Sequence, residues 1–158
     1  MIIIRKAKLE DKVATNDAHK RSIREVCSKD YNEEQIRIWS DVTYSDEIWE
    51  NSLKNDIYYV LEKDSVIEGF IHGRIHSDNT GEIMGLYFTP AIMGQGYGRK
   101  AFELVMKEIL KSKPTKVIIS GTKTALPFYK AMGFKVVEVK QSNIRGTVIE
   151  TNEMELCV

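Results

Sequence analysis

Three glycines at alternate positions, Gly94, Gly96 and Gly98, have the spacing that points most directly to chemistry in this chain. They follow an apolar strand-like stretch, residues 82–88, and precede a long amphipathic stretch that is typical of a helix. Glycine lets the backbone approach a ligand closely, and a helix N-terminus presents unpaired N–H groups and the positive end of the helix dipole. The segment therefore predicts an anion site, most simply for a phosphate.

The glycine turn matches neither of the two common nucleotide motifs. A dinucleotide fingerprint would need a glycine at the position of Arg99, and no glycine is followed by Lys and then Ser or Thr, as a P-loop requires. The glycines alone also fit a turn that serves only the backbone. A second signal is needed to choose between these interpretations.

That signal comes from a resemblance to the GNAT superfamily of acyl-CoA-dependent N-acetyltransferases. Residues 86–98, which include Met93-Gly-Gln-Gly-Tyr-Gly98, resemble the family's strand end and its [Q/R]-x-x-G-x-[G/A] turn. Residues 125–134, Ala-Leu-Pro-Phe-Tyr-Lys-Ala-Met-Gly-Phe, resemble its A-x-x-F-Y-x-x-x-G-F motif. The resemblance covers essentially the whole chain, although residues 1–55 match only in their pattern of helices and strands. It implies a single α/β (mixed α+β) domain over residues 1–158, with a central mixed, mostly antiparallel sheet flanked by helices.

The resemblance also implies that acetyl-CoA is the cosubstrate and binds along the glycine turn. The amides of residues 94–99 would hold its pyrophosphate, and the main chain of residues 86–88 would bind the pantetheine arm where this strand splays from residues 117–119. Met93 and Thr122 replace a Gln or Arg and an Asn of the family pattern, so two side-chain contacts change. The expected coenzyme-binding residues are Leu86, Tyr87, Phe88, Met93, Gly94, Gln95, Gly96, Tyr97, Gly98, Arg99, Thr122 and Tyr129.

Two residues are the catalytic candidates that the resemblance implies. Tyr129 matches the family tyrosine near the coenzyme sulfur, so it is the candidate acid for the leaving thiolate. Glu82, sixteen residues before Gly98, matches a strand glutamate that removes the proton of the amine in histone-acetylating members. Alternatively, Tyr129 only packs a helix onto the sheet, and Glu82 is a surface residue without a catalytic role. His72 and His76 are rival candidates for the base.

The composition limits the partners and the location. Lys plus Arg and Asp plus Glu number 23 each, so the charge balance predicts neither nucleic acid nor an acidic lipid surface as a partner. No apolar run reaches the roughly 18 residues of a membrane span. We expect a cytoplasmic protein.

Cysteine and histidine spacing does not favour a metal. Cys27 and Cys157 lie in no metal-binding or redox motif, and ordinary thiols are favoured over a disulfide or a nucleophile. His72 and His76 would share one face of a strand but lie too far apart for a single ion. We therefore expect no metal.

The order of elements that must position these residues follows from periodicity and caps. A first strand precedes a helix to about Cys27, whose buried side is expected to carry Val13, Ala14, Ala18, Ile23 and Val26. Two short helices begin near Asn32 and Ser45, and three strands, residues 57–62, 66–76 and 82–88, form a meander. The glycine turn opens a helix to about Lys111, a parallel strand and a short helix follow, and a hairpin ends the chain.

The acceptor of the acyl group is the part that the sequence defines least. In the family this side is built from the N-terminal helices and the last hairpin, which here carry Tyr31, Glu34, Trp39, Asp41, Trp49 and Asn143. Residues 31–39 resemble a segment of uncharacterised bacterial members. A C-terminal strand rich in Val, Ile and Leu is able to pair between subunits, so a homodimer and a monomer both stay open. Two functions also stay open: transfer of an acetyl group to a primary amine by direct attack in a ternary complex, and a catalytically idle acetyl-CoA-binding module.

Overall fold

The computed structural model describes residues 1–41 and 43–158. Its strands are β1 (Ile2–Lys6), β2 (Ile57–Lys63), β3 (Val66–Ile75), β4 (Gly81–Phe88), β5 (Lys116–Gly121), β6 (Lys135–Ile144) and β7 (Thr147–Cys157). Its α-helices are α1 (Lys12–Val26), α2 (Glu33–Ser40), α3 (Asp46–Asn55), α4 (Tyr97–Leu110) and α5 (Leu126–Ala131). The expected element order is confirmed, including the meander and the final hairpin.

All strands join one sheet in the order β1-β2-β3-β4-β5-β7-β6. Among the strands of the described residues, only β4 and β5 run parallel to each other, because α4 forms the crossover between them. The predicted mixed, mostly antiparallel sheet with flanking helices is therefore confirmed. Among the described residues, no helix is long and apolar enough to cross a membrane.

The sheet divides where β4 meets β5. Their pairing covers only residues 81–83 of β4 and 117–119 of β5. On its other side β4 stays paired with β3 as far as Phe88. Ile83 and Gly85 pair with consecutive residues of β3, so Met84 between them has no partner and forms a β-bulge. The edge of β4 that faces β5 is thus open from Met84 onward, as the splaying of these strands predicts.

Helix α4 covers one face of the sheet and sits very close to it. Val105 and Ile109 pack against Ile83 and the apolar residues of β5 in the largest core cluster. Gly81 makes this approach possible, because a Cβ there would lie 2.5 Å from a methyl carbon of Ile109. The C-terminal end of α4 is thereby held against the start of β4.

Helix α1 crosses the other face, and its buried side agrees with the expected one at Ala18 and Ile23 but not at Val13 and Ala14. Val13 is 78% exposed and Ala14 is also exposed, whereas the buried residues are Thr15, Ala18, Ser22 and Ile23. Ser22 is buried because its hydroxyl donates a hydrogen bond of 2.9 Å to the Phe88 carbonyl at the end of β4. A helix that packs on exposed main chain buries small polar residues, which an apolar pattern does not identify.

Candidate active site

A cleft of about 330 Å³ opens between the diverging ends of β4 and β5. One wall is β4 from Ile83 to Phe88, and the opposite wall is the end of β5 with the start of α5. The glycine turn closes one end, and α1 contributes Ser22, Val26 and Cys27. The volume is in the range of small-molecule sites, and the slot exposes strand main chain along its length.

The glycine turn leaves open space beside the N-terminus of α4. Gly94 and Gly96 have φ values of +75° and +82°, and a Cβ on either would meet no atom within 4 Å. Gly96 is the residue before the first turn of α4, so the unpaired N–H groups of the helix face this open space. Positive φ and open space together explain why glycine stands at both positions.

Gly98 has a different reason to be glycine. A Cβ there would lie 2.9 Å from the Phe88 ring, so the start of α4 packs directly on the end of β4. This contact fixes the distance between the glycine turn and the open strand edge.

The other side chains of the turn are less engaged with the cleft. Met93 is 45% exposed and lines it. The Gln95 amide donates a hydrogen bond to the Ala91 carbonyl, and the Tyr97 ring lies under the Lys100 ammonium. Arg99 lines the cleft and forms an ion pair with Glu103. Backbone groups rather than side chains therefore dominate this end of the site.

Tyr129 reaches the cleft from α5. It is 4% exposed and lines the cleft, and a Cβ on Gly121 would be 3.3 Å from its ring. Burial raises the pKa of Tyr129 well above its usual value. The phenol is therefore held protonated, as a proton donor must be.

Thr122 has a structural task in addition to its place on the cleft wall. Its Oγ1 accepts a hydrogen bond of 3.1 Å from the Ala125 backbone N–H, and its carbonyl accepts from the Leu126 N–H. The hydroxyl thus shapes the turn that leads into α5 and so helps to position Tyr129.

Cys27 is a cleft residue that the sequence did not single out. Burial raises its pKa to about 11, although a hydrogen bond with Thr124 opposes the shift. Cys157 is also a free thiol and is exposed, so the disulfide alternative is excluded. A lone cysteine at the end of a helix carries no local signal, because its position on the cleft depends on how α1 crosses the sheet.

Glu82 stands apart from the residues that line the cleft. It lies on β4 two residues before the bulge at Met84, and its side chain is 22% exposed. Glu82 Oε1 is 2.7 Å from His76 Nε2. The structure therefore pairs the candidate base with one of its two rival histidines.

The second histidine belongs to a separate network. His72 Nε2 lies 2.7 Å from Asp56, and Arg74 also binds this carboxylate through Nε and Nη2. Burial lowers the pKa of His72 despite the opposing effect of Asp56, so the imidazole is favoured in its neutral form. Among the described residues, no three His, Cys, Asp or Glu side chains are grouped to hold a metal ion.

Most of the residues expected on the acceptor side have structural partners. The Tyr31 hydroxyl donates to the Glu150 carbonyl and accepts from the Lys123 N–H, and Trp49 is in the core. Asp41 pairs with Arg145, and Asn143 caps the turn of the β6–β7 hairpin. Glu34 Oε1 accepts a long hydrogen bond from Thr147, and Trp39 packs edge-on against Tyr31 and Tyr87.

Comparison with solved structures finds the same architecture in several proteins. A GCN5-related N-acetyltransferase from Rhodopseudomonas palustris aligns with a TM-score of 0.86 at 18% identity, over 99% of this chain and 95% of that one. The PaiA N-acetyltransferase from Thermoplasma acidophilum, in complex with coenzyme A, aligns with a TM-score of 0.74 at 21% identity, over 100% and 99%. YncA from Salmonella typhimurium, a putative acetyltransferase with acetyl-CoA, aligns with a TM-score of 0.71 at 19% identity, over 99% and 94%.

Comparison with sequences gives the family. No curated protein sequence matches significantly. The family model described as an acetyltransferase (GNAT) domain matches residues 27–156, which include the glycine turn, the open edge of β4 and Tyr129. The chain therefore belongs to the GNAT acetyltransferase family.

Proposed function

We propose that this protein transfers the acetyl group of acetyl-CoA to a primary amine by direct attack in a ternary complex. The observation that carries the proposal is the cleft between β4 and β5, whose lining includes both the glycine turn at the N-terminus of α4 and the buried phenol of Tyr129. PaiA and YncA, which share the fold, have coenzyme A and acetyl-CoA bound in their structures. A thin ligand with a phosphate end and a reactive thioester end fits these features.

The donor is held mainly by backbone groups. The N–H groups of residues 94–99 bind the pyrophosphate at the N-terminus of α4, where Gly94 and Gly96 leave space for it. The open main chain of Leu86, Tyr87 and Phe88 hydrogen-bonds the pantetheine arm as an additional strand would. The loss of the family's polar side chain at Met93 is therefore compatible with binding.

Two side chains handle the protons. Tyr129 donates its phenolic proton to the thiolate as coenzyme A leaves. Glu82 takes the proton of the acceptor ammonium, through a bridging water because it lies outside the cleft wall. The neutral amine attacks the thioester carbonyl directly, and the C–S bond breaks as the C–N bond is completed. The nitrogen loses its second proton, which restores the phenol of Tyr129.

Direct attack is favoured over a covalent acyl-enzyme. Cys27 is the one thiol that lines the described cleft, and its raised pKa leaves very little thiolate at neutral pH. Because the thiolate is the nucleophilic form of cysteine, Cys27 is poorly suited to accept the acetyl group first.

A coenzyme-release assay tests the function. Purified protein is mixed with acetyl-CoA and, in turn, with small polyamines, arylalkylamines, amino acids and peptides with free N-termini, and free thiol is measured. We expect at least one amine class to raise thiol release well above the amine-free rate, with the acetylated amine seen by mass spectrometry. Tight binding of acetyl-CoA without turnover on any amine would instead support the idle coenzyme-binding module.

A further inference from the structure

The cross-strand partner of Glu82 in the sheet is Arg74, but these two side chains form no ion pair. Arg74 and Glu82 are opposite each other in the β3–β4 register. The Arg74 guanidinium instead binds Asp56, with Nη2 2.8 Å and Nε 3.1 Å from its carboxylate oxygens. A fixed positive charge that would weaken Glu82 as a base is thus held by another carboxylate.

Asp56 is well placed to keep Arg74 in that position. It caps the end of α3, its side chain is only 5% exposed, and its N–H bonds to the Ser52 carbonyl. Its remaining hydrogen bond comes from His72, which burial keeps neutral, so Arg74 is the fixed cation beside Asp56. Breaking the Arg74 pair would leave a buried carboxylate without its charge partner, which is costly.

His76 is the partner that Glu82 has. Its Nε2 is 2.7 Å from Glu82 Oε1, and its backbone is fixed by hydrogen bonds with Thr80 and Asn79 in the β3–β4 turn. The Asn79 side chain anchors this turn to the carbonyls of Ser112 and Lys113 after α4. The imidazole is therefore held in place on a rigid turn.

We propose that His76 is a positioning residue for Glu82, and that Asp56 supports it by sequestering Arg74. This inference rests on the proposed role of Glu82 as the base. His76 donates its Nε2–H to Oε1, which fixes the carboxylate and leaves Oε2 free to take the amine proton.

The charged and titratable groups around His76 are few. Arg74, His72 and Asp56 form the network described above, and Asp78 in the turn accepts from the Thr80 N–H. On β5, which pairs with β4 beside Glu82, Lys116 binds Glu155. None of these groups pairs with Glu82 within the described residues, so His76 and Glu82 act as one pair.

Variants of His76 test the proposal with the best amine from the coenzyme-release assay. We expect H76A to lower kcat by about 10- to 100-fold, as for a misplaced catalytic group. H76Q should keep clearly more of the rate, because its amide N–H can still donate to Glu82. Equal losses in H76A and H76Q, or no loss in H76A, would overturn the proposal.

A double variant tests the role of Asp56. D56N should lower kcat/KM because Arg74 is released toward Glu82, and D56N/R74Q should recover part of the loss, with thermal unfolding confirming that both fold. No recovery in the double variant would refute the sequestering role. Nitrogen-15 NMR of the imidazoles at about pH 8, assigned with H19Q, H72Q and H76Q, gives a readout that needs no acceptor. It should show the Nε2–H tautomer for His76, and the Nδ1–H tautomer would contradict the proposal.

The E82Q variant separates this proposal from the proposed function. If E82Q slows the reaction but H76A does not, His76 has no role and Glu82 keeps its own. If E82Q is as fast as the unmodified protein at every pH, Glu82 is not the base. The proposed roles of His76 and Asp56 are then refuted as well. If E82Q is slow but is rescued at high pH, where the amine deprotonates unaided, Glu82 stands as the base, and the H76A and H76Q rates then decide the role of His76.

Discussion

Burial shifts the pKa values of two cleft side chains, Tyr129 and Cys27, in the same direction. It raises the pKa of the Tyr129 phenol and that of the Cys27 thiol, so both stay protonated near neutral pH. For Tyr129 this preserves a proton donor, and for Cys27 it removes a nucleophile. One physical effect therefore supports both the acid role of Tyr129 and the direct mechanism.

Replacing Tyr129 tests its role as the acid. We expect Y129F to lower kcat by about 10- to 100-fold, because the leaving thiolate loses its donor, while the Kd for coenzyme A changes less than about twofold. Y59F is a suitable control, since Tyr59 lies on β2 away from the cleft lining. An unchanged kcat in Y129F would remove this residue as the acid.

The pH dependence gives a second measurement of the same residue. Because its pKa is raised, the Tyr129 phenol should stay protonated through the range near 10 in which an ordinary tyrosine ionises. The rate should therefore show no loss from this group between about pH 8 and 10. An alkaline decrease in that range that disappears in Y129F would contradict the raised pKa.

At the scale of elements, the strand-to-helix unit of β4, the glycine turn and α4 could be predicted from local sequence. Its signals lie within a few residues of one another, as do the Asn32 cap and its partner Gln35 at the start of α2. The buried polar residues of α1, Thr15 and Ser22, could not be predicted in this way. The packing of this helix depends on the Ser22 contact with Phe88, 66 residues away.

A pair of glycine variants separates the strain in the turn from its function. Gly96 and Gly146 have φ values of +82° and +89°, and a Cβ on either would meet nothing within 4 Å, but Gly146 lies in the β6–β7 turn away from the cleft. G96A and G146A should each lose about 1 kcal/mol in the free energy of unfolding.

Only G96A should also weaken the binding of coenzyme A, because its methyl group occupies the space over the helix N-terminus. We expect the Kd measured by calorimetry to rise by about tenfold or more. Equal affinities in the two variants would show that the turn does not contact the ligand.

At the scale of the whole molecule, two partly buried carboxylates link the pH to stability. Burial alone would raise the pKa of Asp11, but hydrogen bonds from Arg5 and the Lys8 N–H outweigh it and hold the pKa below its usual value. The same balance, with Arg74 and His72 as donors, lowers the pKa of Asp56. These carboxylates stabilise the folded state at a pH above their unfolded-state pKa of about 3.9. This stability is lost as the pH falls through their lower pKa values in the folded state.

Urea unfolding across pH tests this linkage. We expect the free energy of unfolding to fall as the pH decreases from about 5 to 3, and D11N to show a smaller decrease because one of the linked groups is gone. D17N is the matched control, since Asp17 is largely exposed and also pairs with an arginine on its own helix. A D11N curve parallel to that of the unmodified protein would contradict the linkage.

The parts of the site that sequence did not predict depend on how distant strands pair. The position of Glu82 beside His76 follows from the β3–β4 register and the bulge at Met84, and the capture of Arg74 by Asp56 joins α3 to β3. No short motif encodes such pairings. The glycine turn and the Phe-Tyr motif were recognisable because each is compact in sequence and resembles a family pattern.

The open edge of β4 also bears on solubility. Unpaired main-chain groups on a strand edge normally invite a strand of another molecule, which is how many β-proteins begin to aggregate. Here the open edge lies inside the sheet, between β5, α1 and α5, instead of at its rim. A strand of another molecule could pair with this edge only by entering between β4 and β5. The fold thus places the open edge where pairing with other molecules is hindered.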